Sequence, residues 1–461
     1  MNTATMLSDF VESSAKKFKI PGVAVGVWAE GEEMYATHGV TSVDNPLPID
    51  QGTLFILGSI TKTYTATALI CLVAEGKVDL NAPVRRYIPE FKLVDESVAA
   101  RVTVFQLLNH TSGLDWGVIA DFGEGDDALE RYVEKMSELN LVAAPGTRVS
   151  YSQAGYNLIG RIIEKVTGQT FEQALATLVC NPLGLSHSFF ARDDIMTRRF
   201  SVGHNRDEHG TLSIARLWRR SRGDNPGGGI ASSIEDQLRW AKFHLGVGGT
   251  EAGAPVLPEK FLSQMKDPTA ELRASNLGDS IGIGWFLRDI NGVRAVGHDG
   301  SANGQFGKLL MIPGRQFAVV ALSNAGPDGL SFNQEVVRFA LEHYLGILDR
   351  DPVPISFDET LAQEIVGEYE NKVMTLKIDT TARGLRLEVL MRPEIRAAAD
   401  KELPPDHEPF DFGLLPGGKD EYVITSGAFA GQRGFFTRGA DGTVLGVDLA
   451  GRLFSRAEIN H

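Results

Sequence analysis

A serine and a lysine stand three residues apart at the start of an unusually apolar stretch of this sequence. Ser59 and Lys62 belong to the segment FILGSITKTYTATALICLVAEGK, residues 55–77. Residues three apart on a helix share one face, with Cβ atoms about 5–6 Å apart, so the Lys62 amine can reach the Ser59 hydroxyl. A serine hydroxyl is a weak nucleophile until a neighbouring group takes its proton. The pair is therefore a candidate for nucleophilic attack on a carbonyl carbon.

The segment around this pair predicts a turn followed by a buried helix. Gly58 allows a sharp approach to the serine, the run TATALICLVA is apolar nearly all round, and Gly76 stands where a helix cap belongs. Free N–H groups at the start of such a helix can stabilise an oxyanion. The spacing alone is weak evidence, because three other pairs share it on what look like polar faces of surface helices: Ser13/Lys16, Ser14/Lys17 and Ser263/Lys266.

Two further stretches hold residues that could complete a site. Tyr151 lies in a loop just before a helix with a regular apolar face. The stretch VGHDGS, residues 296–301, places a histidine, an aspartate, a glycine and a serine at the end of a predicted strand.

With these stretches, the sequence resembles the class C β-lactamase-like serine hydrolases, a branch of the penicillin-recognising enzymes. The resemblance covers roughly residues 7–345. Several long matches in the expected order make it specific, where a bare S-x-x-K would not. They are FILGSITKTYTATALICLVAEGKVDLNAPVRRYIPEF, VTVFQLLNHTSGL, YSQAGYNLIGRIIEKVTGQTF, NPLGLSHSFF, PGGGIASSIEDQLRWAKFHL and GHDGSANGQFGKLLMIPG.

The resemblance implies a role for each of the first three residues. Ser59 is the acyl-forming nucleophile, and Lys62 and Tyr151 are the proton-transfer pair, with Tyr151 as the general base. A phenol has an ordinary pKa of about 10, and a neighbouring lysine cation lowers that pKa, which makes a phenolate accessible. Which of the two takes the first proton stays open, because coupled groups titrate together.

The His298 strand takes the place of the Lys-Thr-Gly stretch of the lactamases, and the resemblance implies that it edges the active site. The N–H of Ser301 would then be the second oxyanion donor beside the N–H of Ser59. Gly300 would let the substrate approach closely. The alternative interpretation of His298 is a packed histidine at a strand end.

Two departures from the lactamase pattern bear on the substrate. Gln153 replaces an asparagine, and its longer amide can contact a substrate amide with a different reach. His298 replaces a lysine, which weakens the permanent positive charge that would hold a β-lactam carboxylate. The sequence therefore predicts hydrolysis of a small-molecule carboxylic ester or lactone through an acyl-enzyme on Ser59. The alternatives are an amidase or D-amino-acid peptidase, an acyltransferase, and a non-catalytic penicillin-binding-type sensor.

The charge and composition of the chain limit the kinds of partner that it is expected to bind. The 461 residues carry 45 basic and 59 acidic side chains, a net charge of -14, which argues against nucleic acid or an anionic membrane. The first residues lack a basic region followed by an apolar one, and ATALICLVA is far shorter than the roughly 20 residues that span a bilayer. Cys71 and Cys180 are expected to be reduced core thiols. We expect a cytoplasmic protein that is able to form a homo-oligomer.

The order of strands and helices predicts an α/β (α+β), β-lactamase-like fold. Residues 22–40 predict a hairpin and residues 293–325 three strands, and between them lies a mainly helical middle, from residue 59 to about 280. One antiparallel sheet flanked by helices, plus an all-helical subdomain, is the economical arrangement. We predict three parts: a hydrolase domain over 1–346, a linker over 347–357 and an all-β C-terminal domain over 358–461, which is a small barrel or sandwich resembling the lipocalin-like appendages of some relatives.

Other motif matches carry less weight. GDSIG, residues 278–282, has the G-x-S-x-G spacing of a nucleophile elbow around Ser280, but a polar loop, ELRASNL, is expected before it instead of a strand. We interpret His110, in HTSGL, as a residue that fixes a turn. His204 and His209 lack the spacing of a zinc site, so neither a metal nor a cofactor is predicted.

Overall fold

A computed structural model describes residues 3–118, 120–206, 210–218, 221–247, 256–382, 384–397, 406, 408–418, 420–427 and 429–457. The chain forms two compact units. The first comprises Met1–Arg206, Leu212–Glu271 and Ser280–Asp349, and the second comprises Asp207–Thr211, Leu272–Asp279 and Arg350–His461. The predicted boundaries placed the two short internal segments of the second unit in the hydrolase domain. None of the helices in the described ranges is long and apolar enough to cross a membrane.

The strands are numbered in chain order. They are β1 (Gly22–Ala29), β2 (Glu32–Gly39), β3 (Phe55–Ile56), β4 (Ser188–Phe189), β5 (His204–Arg206), β6 (Leu212–Ile214), β7 (Ala231–Ser232), β8 (Ala270–Ser275), β9 (Gly278–Ile281), β10 (Phe286–Ile290), β11 (Val293–Ala302), β12 (Gln305–Ile312), β13 (Phe317–Ser323), β14 (Ala325–Gly326), β15 (Gly367–Glu370), β16 (Met374–Thr381), β17 (Gly384–Met391), β18 (Phe410–Leu414), β19 (Glu421–Ile424), β20 (Arg433–Arg438), β21 (Val444–Leu449) and β22 (Arg452–Arg456).

The α-helices are numbered in the same way. They are α1 (Thr3–Lys17), α2 (Thr61–Ala74), α3 (Glu96–Ala99), α4 (Val104–Leu108), α5 (Ala128–Lys135), α6 (Gln153–Thr167), α7 (Phe171–Leu175), α8 (Arg192–Met196), α9 (Asn225–Gly228), α10 (Ile234–His244), α11 (Glu259–Gln264), α12 (Gly329–Leu345), α13 (Glu359–Ile365) and α14 (Pro393–Ala397).

The central sheet joins strands from both ends of the first unit, as predicted. Its order is β2-β1-β13-β12-β11-β10-β9-β8, and β1 from the start of the chain pairs antiparallel with β13. Alternate residues of β13 enter two different cores: Val319 and Ala321 face one, and Ala318 and Val320 face the other. This alternation is the period of a strand buried on both faces.

Helices cover both faces of the sheet. α1 and α12 pack on one face and on each other, and α10 packs on the other face against β1 and β13. α2 is buried along most of its length and contacts α6 and α9. The predicted α+β class, with an antiparallel sheet, flanking helices and a helical part, is confirmed. Cys71 and Cys180 are buried and free, as expected of core thiols.

The expected loop ELRASNL is partly a strand. β8 lies at the edge of the sheet, where Leu272 is buried while Glu271 and Arg273 are exposed. Among the side chains of β8 that the structure describes, Leu272 alone is both apolar and buried, which is too weak an alternation to predict a strand, and edge strands often carry charge. The predicted helical middle therefore ends about ten residues too late along the chain.

The C-terminal strands form a closed barrel, which decides between the barrel and the sandwich. Strands β15 to β22 pair antiparallel in sequence order, and β15 pairs with β22 to close the ring. Alternating side chains of these strands, such as Leu376 and Ile378, fill the interior with aromatic residues of the other strands. Two short helices, α13 and α14, accompany the strands.

Candidate active site

The turn before α2 presents Ser59. Residues Gly58–Ile60 form a 3-10 turn that continues directly into the helix. Gly58 has a φ of +54°, and a Cβ atom there would lie 2.5 Å from the main-chain oxygen of Ser301. Glycine is therefore needed twice, for the left-handed conformation and for the close contact with β11.

Gly300 makes the corresponding contact from β11. A Cβ atom at this residue would lie 1.9 Å from the carbonyl oxygen of Leu57 and 3.1 Å from the nitrogen of Ile60. The sequence assigned Gly300 to a close approach of the substrate. In the structure, the turn that carries Ser59 fills the volume of the absent side chain, so main-chain packing is a reason for glycine here. The close approach of the substrate stays a prediction.

Lys62 is fully buried, and its ammonium hydrogens point to protein acceptors. Nζ donates to the carbonyl oxygen of Gly227 and to Oε1 of Gln153, each at 2.7 Å, and to Oγ of Ser59 at 3.2 Å. It also lies 4.9 Å from the centroid of the Tyr151 ring. A buried ammonium requires such acceptors because water does not solvate it. The three predicted catalytic residues thus form one cluster.

A buried polar network holds the segment that carries the Gly227 carbonyl. Asn225 donates to Oε1 of Glu172 at 2.6 Å, and Arg222 donates to both oxygens of that carboxylate at 3.1 and 3.0 Å. Burial raises the pKa of Glu172, but the hydrogen bonds and the charge of Arg222, together with the hydrogen bond from Asn225, outweigh it, so the pKa lies below its ordinary value. Sequence reasoning missed this network. The glycine run in PGGG, residues 226–229, was the available signal.

His110 fixes the loop that presents Tyr151. The N–H of Ser150 donates to the carbonyl oxygen of His110 at 2.9 Å, and the N–H of Ser152 donates to its Nδ1 at 3.1 Å. The His110 and Tyr151 ring centroids lie 4.5 Å apart. The interpretation of His110 as a turn-fixing residue agrees with these contacts, and the turn is the one that holds the candidate base.

Gln153 is the first residue of α6, and its side chain turns toward Lys62. Its Oε1 accepts the hydrogen bond from Lys62, and its Nε2 lies 3.5 Å from the carbonyl oxygen of Asp224. Both ends of the amide therefore have partners within the protein. The predicted contact with a substrate amide stays a prediction, whereas the contact with Lys62 is a feature of the structure.

His298 is buried on β11 with its ring 6.3 Å, between centroids, from that of Tyr151. Burial, reinforced by the charge of Lys62, lowers the pKa of His298 to about 4. Nδ1 lies 2.7 Å from the carbonyl oxygen of Asp299, a geometry that assigns the proton of the neutral ring to Nδ1. At neutral pH the residue that the sequence resemblance puts in the place of a lysine is therefore uncharged.

The rest of the His298 strand is placed as follows. Asp299 forms an ion pair with Lys308 on β12, at 2.8 Å, so the charge of this lysine is compensated. Ser301 is exposed, and its main chain lies against Gly58. This contact brings the Ser301 backbone next to the turn of Ser59, although its role as an oxyanion donor stays a prediction.

The low pKa of His298 predicts a loss of stability in mild acid. In the unfolded chain this histidine has a pKa near 6.5 and binds a proton below that pH. In the folded protein its pKa is about 4, so it stays neutral down to about pH 4. Stability therefore falls as the pH drops from 6.5 to 4, by roughly 3 kcal/mol from this group. We expect a His298→Gln variant to lose less stability over this interval than the original protein, as measured by denaturant unfolding. Equal losses in the two proteins would contradict the prediction.

The other candidates have structural explanations. Ser280 lies on β9, paired with Leu287, and a strand follows it, so the strand-turn-helix context of a nucleophile elbow is absent there. His204 is buried, with Nδ1 2.7 Å from the carbonyl oxygen of Asn324. His209 lies outside the described residues.

The three other S-x-x-K pairs lie on α1 and at α11. Ser13 and Lys16 are exposed, as expected of a polar face. Ser14 departs from that expectation, because it is buried and donates to Glu335 at 2.9 Å. Lys266 donates to a main-chain carbonyl, that of His244.

Sequence comparison relates this chain to one family. The profile described as "Beta-lactamase" matches residues 7–340. Penicillin-binding protein 4 of Amycolatopsis lactamdurans is 32% identical over 331 residues, which are 71% of this chain and 87% of that protein. Protein flp of Staphylococcus aureus (strain MW2) is 25% identical over 349 residues, 73% of this chain and 65% of that protein.

Solved structures share the fold. The crystal structure of SurE with D-Leu has a TM-score of 0.73 at 23% identity and covers 98% of this chain and 99% of its own. The octameric penicillin-binding protein homologue from Pyrococcus abyssi has a TM-score of 0.65 at 22% identity, covering 99% of each chain. A class C beta-lactamase has a TM-score of 0.60 at 22% identity, covering 72% of this chain and 95% of its own.

Proposed function

The chain belongs to the beta-lactamase and penicillin-binding-type family of serine hydrolases, as its sequence predicted, and from this premise we propose that it hydrolyses a carboxylic ester or lactone through an acyl-enzyme on Ser59. The observation that carries the proposal is the position of Lys62. Its buried amine contacts the Ser59 hydroxyl and lies beside the Tyr151 ring.

In the proposed acylation, Oγ of Ser59 forms a bond with the acyl carbon and its proton passes to the Lys62–Tyr151 pair. A cation close to a phenol favours the phenolate, so Lys62 supports Tyr151 as a base. The tetrahedral intermediate collapses when the bond to the leaving oxygen breaks and that oxygen receives the proton from the pair. Deacylation runs the same steps in the opposite direction, with water in the place of the leaving group. The pair takes a proton from the water, the water oxygen bonds to the acyl carbon, and the bond to Oγ breaks as Oγ receives the proton. The acid is released and Ser59 is restored.

The negative oxygen of the intermediate needs donors that are already in place. We assign this role to the N–H groups of Ser59 and Ser301. The first lies at the start of a helix, where N–H groups lack helical partners, and the dipole of α2 favours negative charge there. The second is supported by the direct packing of Ser301 on Gly58. Such preorganised donors are worth about 3 kcal/mol each in hydrolases.

The preference for an ester or lactone rests on the uncharged His298. A substrate with a carboxylate at this edge of the site would gain no ion pair from a ring whose pKa is about 4. Lys308 is already paired with Asp299. A neutral substrate loses nothing from the absent cation, whereas a β-lactam would be bound more weakly.

An amidase or D-amino-acid peptidase, or an acyltransferase, is the second candidate. It is favoured by the relative called penicillin-binding protein 4, at 32% identity. The fold is also that of SurE, whose crystal structure holds D-Leu. Added hydroxylamine separates transfer from hydrolysis, because an acyltransferase would release the hydroxamate in place of the acid.

A fluorophosphonate probe tests whether the serine is active. We expect one covalent adduct, located on Ser59 by mass spectrometry of the digested protein, because the probe reacts with an activated serine hydroxyl. The Ser59→Ala variant is the control and should carry no adduct. A wild-type protein without an adduct would contradict the hydrolase proposal and favour the penicillin-binding-type sensor.

The substrate class is tested with a panel of p-nitrophenyl esters, lactones, D-amino-acid p-nitroanilides and a chromogenic β-lactam. We expect kcat/KM for the esters or lactones to exceed that for the β-lactam by at least about tenfold, the size of a lost charge-assisted contact. Turnover of the anilides without turnover of esters would favour the second candidate.

We also propose that the protein is cytoplasmic, on the basis of its buried free thiols.

We further propose that the protein self-associates, because a structure of the same fold is described as octameric. Light scattering on the purified protein measures the mass of the particle directly, and a monomer at all concentrations would exclude self-association.

A further inference from the structure

Gly227, in helix α9, has no side chain, and its carbonyl oxygen accepts a hydrogen bond from Lys62. A Cβ atom on Gly227 would lie 1.9 Å from Nε2, 2.3 Å from Cδ and 2.6 Å from Oε1 of Gln153. The amide of Gln153 therefore occupies the volume that a side chain at residue 227 would need.

The main chain at residue 227 gives no other reason for glycine. Gly227 is a helical residue of α9, and its φ lies outside the left-handed region that favours glycine. Gly228, the next residue, differs in its surroundings. A Cβ atom there would lie 3.7 Å from its nearest neighbour, a main-chain atom of Gly58, which is an ordinary contact.

We propose that Gly227 is a positioning residue, which admits glutamine at residue 153 and thereby sets the place of the Lys62 amine. Two acceptors of this amine, Oε1 of Gln153 and the carbonyl oxygen of Gly227, belong to the two residues whose packing is matched. Oγ of Ser59 is a further acceptor. The inference rests on the proposed function in one respect, namely that Lys62 serves Ser59 as a nucleophile.

A methyl group at residue 227 would displace Gln153 before it displaced the helix. The three atoms nearest to it are the far end of a flexible side chain, which moves at little cost to the fold. The displaced amide would no longer accept from Lys62. Loss of a hydrogen bond to a charged group in the reacting cluster is expected to slow the reaction by about ten- to a hundredfold.

Asparagine at residue 153 would remove the conflict. Its side chain is one methylene shorter, so the space beside residue 227 is no longer filled by an amide. In a Gln153→Asn protein, the additional change Gly227→Ala should therefore have little effect. The two substitutions are expected to be strongly non-additive, as is typical of residues in contact.

The experiment compares five proteins: the wild type, Gly227→Ala, Gln153→Asn, the double variant and the control Gly228→Ala. The readouts are the rate of fluorophosphonate labelling of Ser59 as a function of pH, and the melting temperature. We expect Gly227→Ala to slow labelling about ten- to a hundredfold in the wild type and less than about threefold in the Gln153→Asn background. Gly228→Ala should change the rate less than about threefold.

The pH profile distinguishes positioning from a general structural defect. Displacement of Lys62 changes the charge beside Tyr151, so the pH of half-maximal labelling should move in Gly227→Ala. A defect that merely reduces the folded fraction would lower the rate equally at every pH and would lower the melting temperature.

Three results would overturn the inference. Gly227→Ala could label at the wild-type rate, the change Gly227→Ala could slow labelling equally in the wild type and in Gln153→Asn, or the double variant could fail to fold. If Gly227→Ala alone fails to fold, a folded double variant that labels like Gln153→Asn still supports it. A wild type without labelling contradicts the proposed function instead. The coupling is then read from an NMR titration of His298, whose pKa the charge of Lys62 lowers. An equal change in that pKa when Gly227→Ala is made in the wild type and in Gln153→Asn would overturn the inference.

Discussion

Replacement of Lys62 by methionine is expected to lower kcat on a p-nitrophenyl ester by about a thousandfold or more. Proton transfer by a positioned group contributes typically 10²–10⁴ to a rate, and here the same amine also supports Tyr151. Methionine keeps an apolar side chain of similar length at this buried position of α2. It removes the hydrogen-bond donor to Ser59 and the positive charge beside the Tyr151 ring. Stopped-flow measurement of acylation and steady-state turnover together show which step is slowed.

The Lys62→Met substitution should change the stability of the protein much less than its activity. A buried charge is costly to desolvate, and apolar replacement of such groups is often neutral or stabilising. The carbonyl of Gly227 and the amide of Gln153 each lose a donor, which acts in the opposite direction. We therefore expect a melting temperature within a few degrees of the original, although turnover is nearly lost.

A spectroscopic signal from His298 gives an independent check on Lys62→Met. The Lys62 charge is the second cause, after burial, of the lowered pKa of His298. Removal of the charge should raise that pKa, though not to its ordinary value, in an NMR titration of the imidazole. The control is Lys308→Met, which removes a lysine from the neighbouring strand and should keep most of the activity. Full activity in Lys62→Met would contradict the assigned role.

Alanine in place of Gly300 is expected to damage both the fold and the site. The added methyl carbon would lie 1.9 Å from the carbonyl oxygen of Leu57, which belongs to main chain and has little freedom to move. Overpacking of this kind costs about 3 kcal/mol or more. The turn carrying Ser59 and the strand carrying Ser301 would be forced apart, so labelling of Ser59 should fall by at least about a hundredfold.

Gly314→Ala is the matched control for Gly300→Ala. Gly314 lies in the exposed turn between β12 and β13, and a Cβ atom there would meet no atom within 4 Å. Its unfolding free energy should change by no more than about 0.5 kcal/mol, and its labelling rate should be that of the wild type. Equal behaviour of the two variants would show that β11 and the turn that carries Ser59 are not packed as described.

Much of the fold was predictable from local patterns. The hairpin of β1 and β2, the strands β11 to β13 and the barrel strands have alternating or apolar runs bounded by turn residues. β8 was not predicted, because a strand at the edge of a sheet in which charged residues flank the buried Leu272 resembles a polar loop in sequence. The closed form of the barrel also followed only from the pairing of β15 with β22, which are distant in sequence.

The candidate site divides in the same way. Ser59 and Lys62 were found from their spacing, and Tyr151, Gln153 and the His298 strand from longer matches around them. The residues that support the site were not found, because Glu172 lies 50 residues from Arg222 and 53 from Asn225 along the chain and meets them only in the folded protein. Gly300 was predicted to admit the substrate, but its packing against the main chain of Leu57 was not found, because that contact forms only in the folded protein.

By itself, then, the sequence determined the fold class and predicted the candidate pair Ser59 and Lys62, and its resemblance to the lactamases placed His298 where they have a lysine. These conclusions depend on residue type, short spacing, local periodicity and long sequence matches, all of which are present in the linear sequence. The tertiary structure decided that Lys62 is held by a carbonyl 165 residues away, that burial keeps His298 neutral, and that Gly227 leaves room for Gln153. These properties arise from packing and desolvation between distant segments, which no local pattern of residues specifies.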